Sequence, residues 1–460
     1  MTVAGVRLKN TAMSLYEPMS DLPIVSPHGH CDPAWWAKDE AFPNPAALLI
    51  QPDHYVFRML FSQGVPLEDL GIGPNGVNRD PRAVFRLFAS HWHLFSGTPS
   101  RQWLEHTFRN TLGIRETLNQ KTADAIYDQI ADQLASDAFR PRALFDRFNI
   151  SILATTDPAG ATLSDHKAIA DSGWGGRVIP TFRPDDLLNP IRIGYSAALA
   201  QLAQQTGREV GNYSEFLDAL RDRRAVFKTA GATATDHDVP TIVTNWFDRA
   251  HIEELHRRAV ACELNEVEAM AYYGHLLTEM AQMSVEDGLV MQIHAGSRRN
   301  TNQKLFDEFG YDMGSDIPIA SNWVTGMAPL LNRVGNDPRL RVVLFTLDES
   351  TYARELAPMA GHWPCLRIGP PWWFHDSLNG IRRYLDAVVE TAGYYNLAGF
   401  NDDTRAFLSI PARHDLWRRG VALHLADQID LGILSKSEAG DIAQLLAHDL
   451  ALATYRLDET

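Results

Sequence analysis

Cysteine is scarce in this chain: Cys31, Cys262 and Cys365 are the only three in 460 residues. They are odd in number, scattered and never in CxxC spacing, so no disulfide framework is expected; reduced thiols in a cytoplasmic protein are. Long apolar runs are missing too. No uninterrupted one approaches membrane-spanning length, and the N-terminal MTVAGVRLKNTAMSLYE has no apolar core that could act as a secretory signal. Positive charge is in short supply: 42 Lys and Arg stand against 57 Asp and Glu, a formal net charge of −15. So negative a surface argues against nucleic acid or an anionic membrane as the main partner. It also repels anionic substrates at long range, so an acid-binding pocket would need local arginines to reverse the field. There is no low-complexity segment and no repeat at a fixed period.

What is present fits a soluble enzyme, 45% hydrophobic and 22% charged. A loose unit recurs: a short apolar run, a polar or Gly/Pro stop, then a helical stretch. Eight runs are predicted as strands, at 22–26, 150–155, 177–182, 226–233, 288–295, 341–346, 365–369 and 395–400. The fourth carries Lys228 and Gly231 and is the weakest pattern. Helical patterns lie between them, as over 268–287 and 376–393. Strands alternating with helices predict a parallel sheet, and eight of them a closed (β/α)8 barrel. The chain thus divides into a catalytic barrel (1–35 and 146–460) and a helical insertion over the barrel mouth (36–145). A smaller insertion is expected after the third strand, near 186–224.

The residues closing each run carry the chemical signal. SPHGHCDP (26–33) places His28 and His30 one residue apart at a strand end, and strand alternation aims i and i+2 the same way. Two convergent neutral imidazoles suit a divalent transition metal; loop histidines bonded to backbone or water are the alternative. By the same alternation Cys31 faces away and is expected to pack. The other runs end in Thr155, Thr156 and Asp157, in Arg183, in Asp236 and His237, in His294, in Asp348, in Trp372 and Trp373, and in Asp402, Asp403 and Arg405. In a barrel these positions meet at the C-terminal face, where active sites are built. Arg183, Arg299 and Arg405 follow strand ends, and guanidinium forks bind carboxylates bidentately. Asp157 in TTDP reads as a turn and helix start. Asp236 and His237 read equally well as a helix cap and its neighbour.

HxH after the first strand and an Asp after the eighth resemble the amidohydrolase superfamily, and within it the uronate isomerases. The resemblance is carried by SPHGHCDP, DHYVFR (53–58), ATTDP (154–158), VIPTFRPDDLLN (178–189), IHAGSRRNTN (293–302), GPPWWFHDSLNG (369–380) and NDDTRAFLSIPARHDLWRR (401–419), in family order over nearly the whole chain. It implies metal ligands at His28, His30 and Asp403, and site residues at His54, Tyr55, Arg183, His294, Arg299, Trp373 and Arg405. Asp402 could displace the ligand by one position; Asp403 keeps the D-[ST]-R spacing to Arg405. Unlike the hydrolases of the superfamily, the chain has no Lys after strand four and no His closing strand six, so a binuclear centre is not expected.

The implied activity is aldose–ketose isomerisation of D-glucuronate, D-galacturonate or both, through an enediol. Asp403 would be the base, with Tyr55 and Arg405 stabilising the oxyanion; His54, Arg183, His294, Arg299 and Trp373 would bind the sugar acid. One divalent ion is implied, with a loose requirement for it: zinc suits two histidines and one carboxylate, ligand types that Mn and Fe also accept. A metal-dependent hydrolase or lactonase, or a non-catalytic sugar-acid binding protein, are the other readings. The oligomeric state is open, a homo-oligomer included.

Overall fold

The computed structural model describes residues 3–73, 79–372 and 375–458, with side chains from residue 10 onward. The barrel strands, in chain order, are β1 (Ile24–Ser26), β2 (Ile150–Ala154, resuming at Asp157–Pro158), β3 (Arg177–Ile179, resuming at Phe182–Arg183), β4 (Ala234–Val239), β5 (Val290–Ala295), β6 (Val342–Thr346) and β7 (Leu366–Ile368). Each pairs in parallel with its sequence neighbour. The β2–β3 ladder runs through its irregularities, because Thr155, Asp157 and Ala159 donate to the carbonyls of Ile179, Thr181 and Arg183 at 2.9, 3.0 and 2.8 Å. β5 and β6 are buried at every position, as expected of parallel strands covered on both faces.

The eighth position is the irregular one. Residues 395–400, predicted as a strand, hold the end of a 3₁₀ turn (Tyr394–Asn396) and a single parallel bridge from Leu397 to Ile368. Two left-handed residues interrupt extension here, Gly399 at φ +81° and Asp403 at φ +41°. At Gly399 the helix containing Ala451 comes so close that a Cβ would lie 2.6 Å from the Ala451 amide nitrogen. The segment still closes the barrel. Ala398 donates to Ile368 O at 2.8 Å; further on, Asp403 N donates to His28 O (3.3 Å) and His30 N to Thr404 O (3.0 Å). The fold is a (β/α)8 barrel.

The fourth predicted strand is displaced. Residues 226–229 finish the helix Tyr213–Thr229, begun by Asn212, whose side chain accepts from Ser214 N and Glu215 N. Phe216, Leu220 and Phe227 continue a helical apolar face into it, and β4 begins only after Gly231 turns the chain at φ +96°. Between β3 and β4 lie the helices Asp185–Leu188, Tyr195–Thr206 and Tyr213–Thr229, in the region of the predicted smaller insertion.

Between β1 and β2 the chain is helical, and three of its helices start the same way. Asn44, Asp80 and Thr98 each accept from a backbone N–H of the first turn while Pro45, Pro81 and Pro99 fill the first helical position. Their apolar faces, among them Val56, Phe57, Phe85, Phe88, Ile126 and Phe145, pack into a cluster that reaches Ile150, Val178 and Phe407 on the barrel. Cys31 is buried in it, its thiol on the Thr404 carbonyl at 3.5 Å. The helix Val3–Ser20 packs Ala12, Leu15 and Met19 into the main core, and Tyr16 meets Asp415 of the helix Ile410–Asp430. Among the described residues no helix is long and apolar enough to cross a membrane.

Strand alternation in β4 sends His237 away from the barrel mouth, fully buried with Nε2 on Thr235 Oγ1 at 3.0 Å. Burial, with Arg224 and Arg183 nearby, pushes it down to about 3 against the pull of Asp236. The unfolded imidazole takes up a proton near pH 6.5 and the folded one does not, so stability present above that pH is lost as pH falls. From pH 7 to 5 this one group removes about 2 kcal/mol. Urea unfolding at both pH values should show His237→Asn losing about that much less than the parent; equal losses would contradict the assignment.

Candidate active site

The two hydrogen bonds between 28–30 and 403–404 fix the centre of the pocket. They bring His28 Nε2 to 3.5 Å and His30 Nε2 to 3.0 Å from Asp403 Oδ1. The two neighbouring acids face different ways about the left-handed Asp403. Asp402 turns inward, 1% exposed, onto His414 Nε2 at 3.2 Å, while Asp403 lines the pocket. Burial opposes charge on Asp403, yet bonds from His28 and His30 hold its carboxyl well below the usual range. The three side chains offer one ligand atom each, all within 4.8 Å of one another, and can hold a metal ion. His28, Asp236 and His294 form a second such group sharing His28. There, however, His294 Nδ1 already donates to Asp236 Oδ1 at 2.7 Å and Arg183 Nη1 lies 3.5 Å from Oδ2.

Around this centre stands a lattice of acids and guanidiniums. Asp236 and Asp238 project together from β4. Arg183, at the end of β3, faces a different carboxylate with each nitrogen: Nε to Asp185 (2.6 Å), Nη1 to Asp236 (3.5 Å) and Nη2 to Asp238 (3.4 Å). Arg299, after β5, bridges Asp238 (3.0 Å) and Asp316 (2.8 Å). Burial pushes the Asp185 carboxyl up to about 6 although Arg183 draws it down. His294 is stacked on Phe345 at 4.2 Å and edge-on to Trp372 at 4.8 Å.

The insertion supplies the remaining wall. Asp53 caps the helix His54–Phe61 by accepting from Tyr55 N at 2.9 Å, so His54 and Tyr55 occupy its first turn and face the mouth. Tyr55 is 7% exposed, edge-on to Trp103 at 5.3 Å. Arg413 lies over Trp103 at 3.6 Å and Tyr55 at 5.4 Å, and donates to the Asp402 carbonyl at 3.2 Å. One buried cation thereby braces Tyr55 and the backbone beside Asp403. Burial drives the Tyr55 hydroxyl well above its ordinary range against that cation, so it stays protonated. His54 is brought to about 3 by burial and then by Arg405, so it is neutral through the physiological range. Arg405 pairs with Asp312 at 2.6 Å.

These side chains enclose a cavity of about 460 Å³, within the ~300–1,000 Å³ range of small-molecule sites. His28, His30, His54, Tyr55, Arg183, His294, Arg299, Asp403 and Arg405 all line it. Trp373 lies outside the described residues; its neighbour Trp372 lines the pocket. Asp348 does not: it accepts from Ser321 N at 3.0 Å. Asp157 accepts from Thr155 Oγ1 at 2.6 Å, but Asp157–Pro158 continues β2 beside Phe182–Arg183 where a turn and helix start were expected, and the next helix begins only at Ser164. Sequence reasoning missed Asp238, Asp312 and Arg192. The signal for Asp238 was the DHD alternation itself, hidden because the strand was placed eight residues early; Asp312 and Arg192 sit on loops without periodicity.

The model of the glucuronate isomerase family matches residues 6–453. A uronate isomerase of Rhizorhabdus wittichii is 54% identical over 446 residues, 97% of this chain and 95% of the relative. The crystal structure of a glucuronate isomerase from Caulobacter crescentus superposes with a TM-score of 0.97 at 48% identity, covering 98% and 95% of the two chains. A uronate isomerase structure from Thermotoga maritima gives 0.92 at 26% identity, covering 97% of each chain. With the barrel, the His-Asp centre and these likenesses in agreement, the chain belongs to the glucuronate isomerase family.

Proposed function

We propose that this chain is a uronate isomerase, interconverting D-glucuronate and D-fructuronate, D-galacturonate and D-tagaturonate, or both, by proton transfer through an enediol. The observation that carries this is the placement of one low-pKa carboxylate, Asp403, beside a protonated Tyr55 and Arg405 in one arginine-walled pocket. Asp403 removes the C2 proton of the aldose and the carbonyl oxygen at C1 takes up charge; the proton of the C2 hydroxyl then passes to O1, and the proton held by Asp403 is returned to C1, giving the ketose with its carbonyl at C2 and a hydroxyl at C1. Tyr55, unable to ionise, donates a hydrogen bond to the enediolate oxygen, and Arg405 adds positive charge. His54, Arg183, His294 and Arg299 line the pocket as substrate-binding groups, with Trp373 assigned by resemblance.

A divalent ion fits His28, His30 and Asp403. Three ligand atoms converge, and the buried His28 Nδ1 has no hydrogen-bond partner among the described residues. Zinc is the ion these ligand types favour, with a position left open, and when bound it supplies Lewis-acid polarisation of a substrate oxygen. The same proposal takes 1–35 with 146–460 as the catalytic barrel and 36–145 as a unit over its mouth, supported by an apolar cluster distinct from the main core that its helices share with the Ile24, Ile150 and Phe407 side of the barrel. Three free cysteines, two of them buried, suit a reducing compartment such as the cytoplasm.

Two measurements test this reading. Purified protein incubated with each uronate should form ketose, and Asp403→Asn should cut kcat by at least about a hundredfold, the scale of a lost general base. Near-normal turnover by that variant would remove Asp403 as the base; hydrolysis of a lactone with no ketose from any uronate would favour the hydrolase. Metal analysis should find about one transition-metal ion per chain, reduced in folded His28→Ala or His30→Ala. Two tightly held ions would contradict the single centre.

A further inference from the structure

We infer that Arg192, on the loop between β3 and the helix Tyr195–Thr206, is the guanidinium that meets the carboxylate of the sugar acid at the pocket mouth. The inference deepens the uronate isomerase reading and rests on it. Four arginines among the described residues line the cavity: Arg183, Arg192, Arg299 and Arg405. Three have carboxylates within hydrogen-bond distance. Arg183 faces three, Arg299 spans Asp238 and Asp316, and Arg405 holds Asp312. For any of these to take a substrate carboxylate as its main partner, a buried acid would lose its counter-charge, which is costly.

Arg192 differs. Its nearest carboxylate oxygen is Asp185 Oδ2 at 3.9 Å, beyond hydrogen-bond distance. That oxygen already receives Arg183 Nε at 2.6 Å, and the carboxyl also accepts from Asp238 N at 3.2 Å. Arg192's side chain is 37% exposed and its pairing with Asp185 is long, so drawing it onto an anion leaves Asp185 with its close partner Arg183. Its backbone is anchored: Arg192 N donates to Asn189 O at 3.1 Å and Tyr195 N to Arg192 O at 3.1 Å. The loop also orients it. Ile191 and Ile193 are 50% and 76% exposed, whereas Arg192 between them lines the pocket. A fixed anchor and a fork held by no carboxylate at hydrogen-bond distance are what an incoming carboxylate requires on a chain whose net charge of −15 repels it elsewhere.

The test compares D-glucuronate with its neutral methyl ester on the metal-loaded enzyme, using Arg192→Met and Arg192→Lys. Arg192→Met should raise KM for the acid at least about tenfold with kcat within about threefold, the scale of one lost charge-assisted contact. Affinity for the ester, measured as substrate or competitive inhibitor, should stay within about twofold, and Arg192→Lys should recover part of the loss. An unchanged KM for the acid, or equal losses for acid and ester, would overturn the role of Arg192. Wild-type protein that forms no ketose from either uronate would overturn the isomerase reading separately. Calorimetric binding of acid and ester to wild type and Arg192→Met then decides Arg192 by the same comparison, and no saturable binding of the acid to wild type would overturn both.

Discussion

The sheet of this barrel is closed by a backbone exchange, Asp403 N to His28 O and His30 N to Thr404 O, and the chemistry hangs on the same two bonds. They join the first and last strand positions, and in doing so carry two imidazoles and one carboxylate to a common point. The cost is visible in the backbone, since Asp403 adopts a left-handed φ of +41° that an ordinary L-residue avoids. Arg413 and Tyr55 then lean on this junction from the insertion side, through the Asp402 carbonyl and the Trp103 face. A change that loosened the closure would disturb fold and site together.

Electrostatics explains the rest of the pocket. Asp185, Asp236, Asp238 and Asp316 share two close guanidiniums, Arg183 and Arg299, with Arg192 3.9 Å from Asp185, so the lattice does not carry surplus positive charge by itself. Burial raises Asp185 to about 6 against the pull of Arg183, and Asp238 and Asp236 add to the rise. A bound divalent cation and Arg192 would supply what an anionic sugar needs. The lattice fixes shape; the centre and the mouth receive charge.

Much of this was legible in the sequence where periodicity and strand alternation act locally. The HxH pair, six of the eight strand positions and the helices over 268–287 and 376–393 follow from side-chain periods of 2 and 3.6. Two strands did not follow. Residues 226–229 extend a capped helix, which no short apolar run can reveal, and 395–400 is held by close packing of Gly399 on Ala451, a contact distant in sequence. The misplaced fourth strand hid the pairing of Asp236 with Asp238 and left Asp236 undecided. Arg192 and Asp312 were invisible for another reason: loops position them through tertiary contacts alone. The choice of Asp403 over Asp402 rested on spacing to Arg405, and the turn at Asp403 supplies its physical basis.

The central claim is that a carboxylate at the barrel closure moves a proton between adjacent carbons of a sugar acid. Running the isomerisation in D2O and reading the ketose by NMR tests it most directly. Proton transfer through an enediol at an open barrel mouth predicts deuterium at C1 of the product. Complete retention of the substrate's own C2 hydrogen at C1, at every extent of reaction, together with near-normal turnover by Asp403→Asn, would contradict it.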